Sequence, residues 1–142
     1  MRTLFDFAGR ASRLTYWRVF LLSSVVGSVV FIMGCTAIIH FGPVGGVLFV
    51  GLVPPLVFSA AVGIRRAHDR GKAAVWFWIF TLGPFSLNVI AESLPARAAG
   101  GGLVTLALML GSIVIYIWGI VELGFLRGAP VPNVYGAPEL IR

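Results

Sequence analysis

The chain has 142 residues, of which 58% are hydrophobic and 11% charged, with a mean hydropathy of +0.98. Soluble domains carry about 25% charged residues, so these proportions leave too few polar side chains to cover a water-facing surface. A formal charge of +6 suits nucleic acid only as a continuous basic face; here the cations sit between long apolar runs, which excludes that partner and points to anionic lipid headgroups.

Leu4, Phe5, Phe7, Leu14, Tyr16 and Trp17 mix with Arg2, Arg10, Arg13 and Arg18 before the first apolar run. This mixture predicts a short interfacial segment in the headgroup layer, where each cation near an anionic leaflet contributes about 1 kcal/mol. Ser12 is the expected cap of a helix starting at Arg13, because its hydroxyl can accept from a first-turn amide.

A hydrocarbon core about 30 Å thick takes roughly 20 apolar helical residues, and the chain offers four such stretches in one domain. The first, about 19–39, is uncharged. It exceeds the roughly 7–15-residue apolar core of a signal peptide and no A-x-A-like site follows, so it is read as a retained helix. Cys35 stands alone within it, giving neither a disulfide nor a thiolate metal site. His40-Phe41-Gly42-Pro43 forms the turn into the second span, about 44–64. Pro54-Pro55 at its middle removes two backbone donors and predicts a kink or a break. The third span, about 73–91, carries Asn88, suited to a bond across a helix interface, and Gly83-Pro84, a second kink. Glu92 to Gly102, with Pro95 and three glycines, links it to the last span, about 103–126. Glu122 in that span costs less near its end than at the bilayer centre, and a structural ion pair with Arg18, Arg65 or Arg127 is expected.

Ten of the eleven arginines and lysines fall before the first span, between the second and third, or after the fourth; Arg97 alone lies on the opposite side. The positive-inside rule then places both termini and the middle loop in the cytoplasm. Small residues at Ser24 and Ser28, Ser59 and Gly63, and Gly111 and Gly119 allow helices to approach closely, within the chain or in a homo-oligomer.

His68-Asp69 in the middle loop is the pair best suited to acid–base chemistry, yet the only other histidine, His40, lies across the membrane in this topology. Catalytic and metal constellations therefore lack partners, Gly100-Gly101-Gly102 precedes no phosphate-loop lysine, and neither an enzyme nor a cofactor is expected.

Three segments carry a resemblance. Gly9-Arg10-Ala11-Ser12-Arg13-Leu14-Thr15-Tyr16-Trp17, Arg65-Arg66-Ala67-His68-Asp69-Arg70-Gly71-Lys72 and Gly128-Ala129-Pro130-Val131-Pro132-Asn133-Val134-Tyr135-Gly136 resemble the G-R-x-S-R-x-x-Y-W opening, the R-R-L-H-D-x-G-[KR] loop and the G-x-x-G-x-N-R-Y-G tail of the YhaH-like family of small bacterial inner-membrane proteins, a family of unknown function. Departures are Ala73-Ala74-Val75-Trp76 where the family continues S-G-W-W, Val131 for the tail glycine and Val134 for the arginine before the tyrosine. The resemblance implies location and fold but no activity.

All three motifs fall on the side assigned to the cytoplasm. Arg10, Arg13, Tyr16 and Trp17, the Arg65-Arg66-His68-Asp69 loop and Asn133-Tyr135 are expected to pack into one cap, Asp69 pairing with Arg10 or Arg13. The expected fold is an all-α bundle of four transmembrane helices. The expected function is a non-enzymatic membrane component contacting anionic lipid or protein partners. A small oligomeric transporter with Pro54, Pro55 and Pro84 lining a path is the second expectation, and a lipid-modifying enzyme using His68 and Asp69 the third. A transporter requires a cavity beside the prolines; a headgroup site requires Arg10, Arg13 or Arg66 to be free for phosphate.

Overall fold

The computed structural model describes residues 6–94 and 101–138; Arg2, Leu4, Phe5, Pro95, Arg97, Gly100 and Arg142 lie outside them. Apart from an isolated bridge between Asn133 and Gly136, the described regular structure is helical: α1 (Arg13–Phe41), a 3-10 segment (Gly42–Leu52), α2 (Val53–Asp69), α3 (Val75–Ser93), α4 (Gly101–Ile120) and a π-helical turn (Val121–Phe125). Three helical runs are long and apolar enough to cross a membrane: Arg13–Asp69, Val75–Ser93 and Gly101–Phe125.

The first run, 57 residues long, is a hairpin. Ser12 opens α1 as expected, its hydroxyl accepting the Thr15 amide at 3.2 Å. Gly42, at φ 64°, reverses the chain at the end of α1 in a backbone region that a side chain would disfavour. The returning limb then lies antiparallel to α1: a Cβ on Gly45 would stand 2.3 Å from the Ala37 carbonyl carbon, the Phe49 ring covers Gly34, and Gly51 meets Val30. The limb starts as a 3-10 helix rather than the expected α-helix. With three residues per turn, Gly45, Leu48 and Gly51 fall in one row, and its two glycines are those that face α1. The α-helical winding begins only at Val53, so Pro54 and Pro55 occupy the first turn of α2. There a missing N–H costs no intrahelical bond, and the pair does not interrupt an α-helix as the sequence suggested.

In α3, Pro84 sits inside the helix. Asn88 Nδ2 donates to the Pro84 carbonyl at 2.8 Å and across to Ser112 Oγ on α4 at 3.1 Å, the interface bond expected of it. Gly101 and Gly102 belong to α4 rather than to the linker.

The returning limb pairs with α1 and α3 pairs with α4, while α1 approaches the last helix only through the π-helical turn. The two pairs join at one end, where Ala11, Tyr16, Val62, Ile64, Ala67, Phe77, Phe80 and Leu123 form the core. Gly63 lets the Phe77 ring close on α2, and Gly119 lets Phe80 close on α4. Away from that end, apolar side chains such as Leu22, Ile39 and Leu103 are exposed, as suits helices solvated by lipid tails.

Candidate functional site

At the joined end, α2 finishes in a Schellman motif: the Gly71 amide reaches the His68 carbonyl and the Lys72 amide the Ala67 carbonyl, both at 2.9 Å. Gly71, at φ 71°, supplies the left-handed residue that this closure requires. Every residue from Ala61 to Asp69 is buried, and the last two turns carry Arg65, Arg66, His68 and Asp69.

Asp69 is the hub. Its Oδ1 accepts from Arg10 Nε at 2.9 Å and lies 2.8 Å from Arg10 Nη2, and its Oδ2 accepts from Arg66 Nη1. Arg10 and Arg66 are 1% and 0% exposed. One carboxylate cannot neutralise two buried guanidinium groups; backbone carbonyls supply the remainder. Arg10 also donates to the carbonyls of Ala129, Val131 and Gly136, and Arg66 to those of Leu123 and Leu126.

These carbonyls belong to a series. A helix end leaves its last carbonyls without intrahelical partners and with negative partial charge. From Leu123 to Arg127, five consecutive carbonyls receive side-chain donors: Arg66 Nε, Trp17 Nε1, Arg13 Nη1, Arg66 Nη2 and Arg70 Nη1 in turn. The π-helical turn, closed by the Leu126 amide on the Val121 carbonyl at 3.1 Å, sits where these donors converge. Gly124 and Gly128 permit it, since a Cβ would collide with the Trp17 indole at 2.7 Å in the first case and with the Asp69 carboxylate at 1.8 Å in the second.

The tail closes over the hub. The Ala129 amide bonds the Asp69 carbonyl at 2.8 Å. Asn133 Nδ2 donates to the His68 carbonyl at 2.9 Å, while its Oδ1 accepts the Tyr135 amide and fixes the turn. The Tyr135 ring stacks on His68 with centroids 3.9 Å apart and planes parallel within 1°. His68 Nδ1 faces the Gly9 carbonyl at 3.1 Å, a contact that requires the proton on Nδ1. The three motifs therefore meet in one cap.

Several expectations need correction. Within the segment expected in the headgroup layer, Arg10 and Ala11 are inserted into the cap, 1% and 0% exposed. Asp69 pairs with Arg10, one of the two partners expected, and Arg66 joins it in place of Arg13, which turns to the Phe125 carbonyl at 3.2 Å. Glu122 is ion-paired, but with Arg70 at 3.0 Å and Lys72 at 3.7 Å rather than with Arg18, Arg65 or Arg127; Lys72 also lies 4.2 Å over the Trp76 ring. Arg10 and Arg66 are bound internally and are not free for phosphate. Tyr16 is packed into the core, and Trp17 is bonded to the Gly124 carbonyl at 3.0 Å. Arg65 is 4% exposed, yet its Nε has no partner among the described residues. Among the described residues the exposed arginines are Arg13, Arg18 and Arg127.

Between the helix pairs, directly inside the cap, lies a cleft of about 640 Å³ that reaches from Tyr16 and Leu123 to Ile32 and Leu52. Pro55 lines it, together with the hydroxyls of Ser24, Ser28, Ser59 and Tyr116, and no charged side chain does. On the solvent side of the cap a shallower groove of about 240 Å³ is bordered by Arg13, Asp69, Arg127 and Gly128. Among the described residues no cluster of three metal-ligating side chains exists.

A family model described as "Protein of unknown function (DUF805)" matches residues 4–137. No curated protein and no solved structure matches the chain.

Proposed function

The chain belongs to the DUF805 family of proteins of unknown function, and from that premise we propose that it is a non-enzymatic protein of the bacterial inner membrane that contacts anionic lipid through its cap. It crosses the bilayer four times, the fold-back at Gly42 making two crossings of the first helical run, and carries its cap and both termini on the cytoplasmic side. The reading is supported by the division of cations. Among the described residues, Arg10, Arg66, Arg70 and Lys72 are held by carboxylates and carbonyls and Arg65 is buried, while Arg13, Arg18 and Arg127 are exposed at the end of an apolar helical bundle. A cation near an anionic surface contributes about 1 kcal/mol, and protein–protein contact through the same rim is the alternative use of that charge.

Two measurements test this. Reporter enzymes active only outside the cytoplasm, fused to either end of the chain, are expected to stay silent; activity at either end refutes the orientation. In vesicles of mixed composition, spin-labelled phosphatidylglycerol is expected to be enriched around the protein several-fold over phosphatidylcholine, falling toward parity in about 1 M salt, where screening acts within about 3 Å. The triple change Arg13→Gln, Arg18→Gln, Arg127→Gln is expected to abolish the enrichment, and its persistence in that variant refutes the lipid reading. A transport path through the cleft would run between apolar side chains and hydroxyls and suits an uncharged cargo, because no charged group lines it.

A further inference from the structure

We propose that the groove on the solvent side of the cap, bordered by Arg13 and Arg127, is a binding site for a phosphate monoester. The inference goes beyond the lipid contact above and does not involve the cleft between the helix pairs.

Position selects the side from which the ligand comes. Arg13 is the first residue of α1 and stands six residues before Val19, where the apolar run begins. That is about 9 Å along the helix axis, whereas the headgroup layer is about 5–8 Å deep on each side of the bilayer. The groove, about 240 Å³ in volume, therefore lies at the water-facing edge of that layer.

Charge and donor geometry select the group. Arg13, Arg66 and Arg127 line the groove together with Asp69, three cations against one anion, an excess of two. Asp69 is already saturated: Arg10 bonds one carboxylate oxygen and Arg66 the other, and the Gly128 main chain packs against it. Arg66 is likewise committed, to Asp69 and to the carbonyls of Leu123 and Leu126. The two rim arginines are not. Arg13 spends one donor on the Phe125 carbonyl, and its guanidinium has others to offer. The Arg127 side chain has no hydrogen bond or ion pair among the described residues. One fork comes from the start of α1 and the other from the segment after the π-helical turn, so the two belong to different walls. A carboxylate offers a pair of coplanar oxygens, which a single fork engages fully. A phosphate monoester offers three acceptor oxygens and a charge of about −1.5 to −2 near pH 7. It suits two forks and neutralises the excess.

The test titrates the full chain in mild detergent at pH 8, above the second phosphate pKa of about 6, at constant ionic strength. A ligand held only by the folded cap raises the melting temperature with its concentration, and the curve gives its Kd. Glycerol 3-phosphate is expected to do so; dimethyl phosphate, a diester with a single charge, is not. Arg127→Gln removes no contact among the described residues and is expected to raise the Kd about tenfold, as loss of a hydrogen bond to a charged group does. Arg18→Gln removes the same charge outside the groove and is expected to raise it far less. A second titration uses nanodiscs in which phosphatidic acid replaces phosphatidylglycerol. A shift with glycerol 3-phosphate assigns the groove to water-soluble esters. A shift with phosphatidic acid alone, with the same dependence on Arg127, assigns it to the lipid form of the same group. No Arg127-dependent shift with either probe overturns the site, as does equal weakening by Arg127→Gln and Arg18→Gln, or an equal response to dimethyl phosphate. Enrichment of spin-labelled phosphatidylglycerol is read separately, so the lipid contact at the rim stands or falls without the groove.

Discussion

Asp69→Ala is expected to unfold the cap and to lower the melting temperature in detergent more than any other single change in the described residues. The substitution leaves Arg10 and Arg66 buried with no counter-charge, and removing one partner of a buried ion pair costs about 3–5 kcal/mol. Asp69→Asn retains an acceptor of the same shape but presents an amide donor to one guanidinium, so it is expected to recover only a part of the loss. Exchanging charges between Asp69 and Arg10 is not expected to rescue the fold. Arg10 also donates to the carbonyls of Ala129, Val131 and Gly136, where a carboxylate would meet three negative dipoles. Arg65→Met is the control. That guanidinium is buried with its Nε unpartnered, so an apolar side chain of similar length is expected to leave stability unchanged or raised. Thermal melting followed by fluorescence-detected size exclusion ranks these variants. A melting temperature for Asp69→Ala no lower than that of Arg65→Met refutes the hub.

The sequence makes some of this arrangement legible and hides the rest for identifiable reasons. Apolar run length reveals the helices because lipid permits few alternatives for an unpaired backbone. Ser12 and Asn88 announce their bonds because both act locally or across one interface. The convergence of Arg10, His68-Asp69 and Asn133-Tyr135 is expected from the three motifs that carry the family resemblance, once the positive-inside rule assigns them to one side. What the sequence does not show is that the principal partners of the arginines are main-chain carbonyls, since every residue has one and none is marked. Only Gly124 and Gly128 signal it, through the space they leave for Trp17 and Asp69. The same blindness displaced the partner of Glu122 from Arg18, Arg65 or Arg127 to Arg70 and Lys72, because the Schellman closure at Gly71 swings those two side chains back over the last helix. Pro54-Pro55 misled in the opposite way: a proline pair reads as a break in a helix when it can equally open one.

Gly63→Ala carries the second large effect, and its sign is decided by a contest between two terms. Alanine gains about 1 kcal/mol over glycine in a helix interior, but its Cβ would stand 2.2 Å and 2.4 Å from two atoms of the Phe77 ring. That ring is 8% exposed and wedged in the core, so it cannot swing aside as the end of a flexible side chain would. Overpacking of this kind costs about 1–3 kcal/mol and sometimes more, which outweighs the propensity gain. Gly27→Ala provides the same gain with no atom within 4 Å of the new methyl, so the difference in melting temperature between the two variants isolates the clash. Gly27→Ala is expected to match or exceed the parent and Gly63→Ala to fall well below it. Combining Gly63→Ala with Phe77→Leu is expected to cost less than the sum of the single changes, since the smaller side chain vacates the space the methyl needs. Additive losses would mean that Gly63 is not where α2 and α3 close on each other. The joint between the two helix pairs, and with it the mouth of the cleft, would then have to be sought at Gly119 and Phe80.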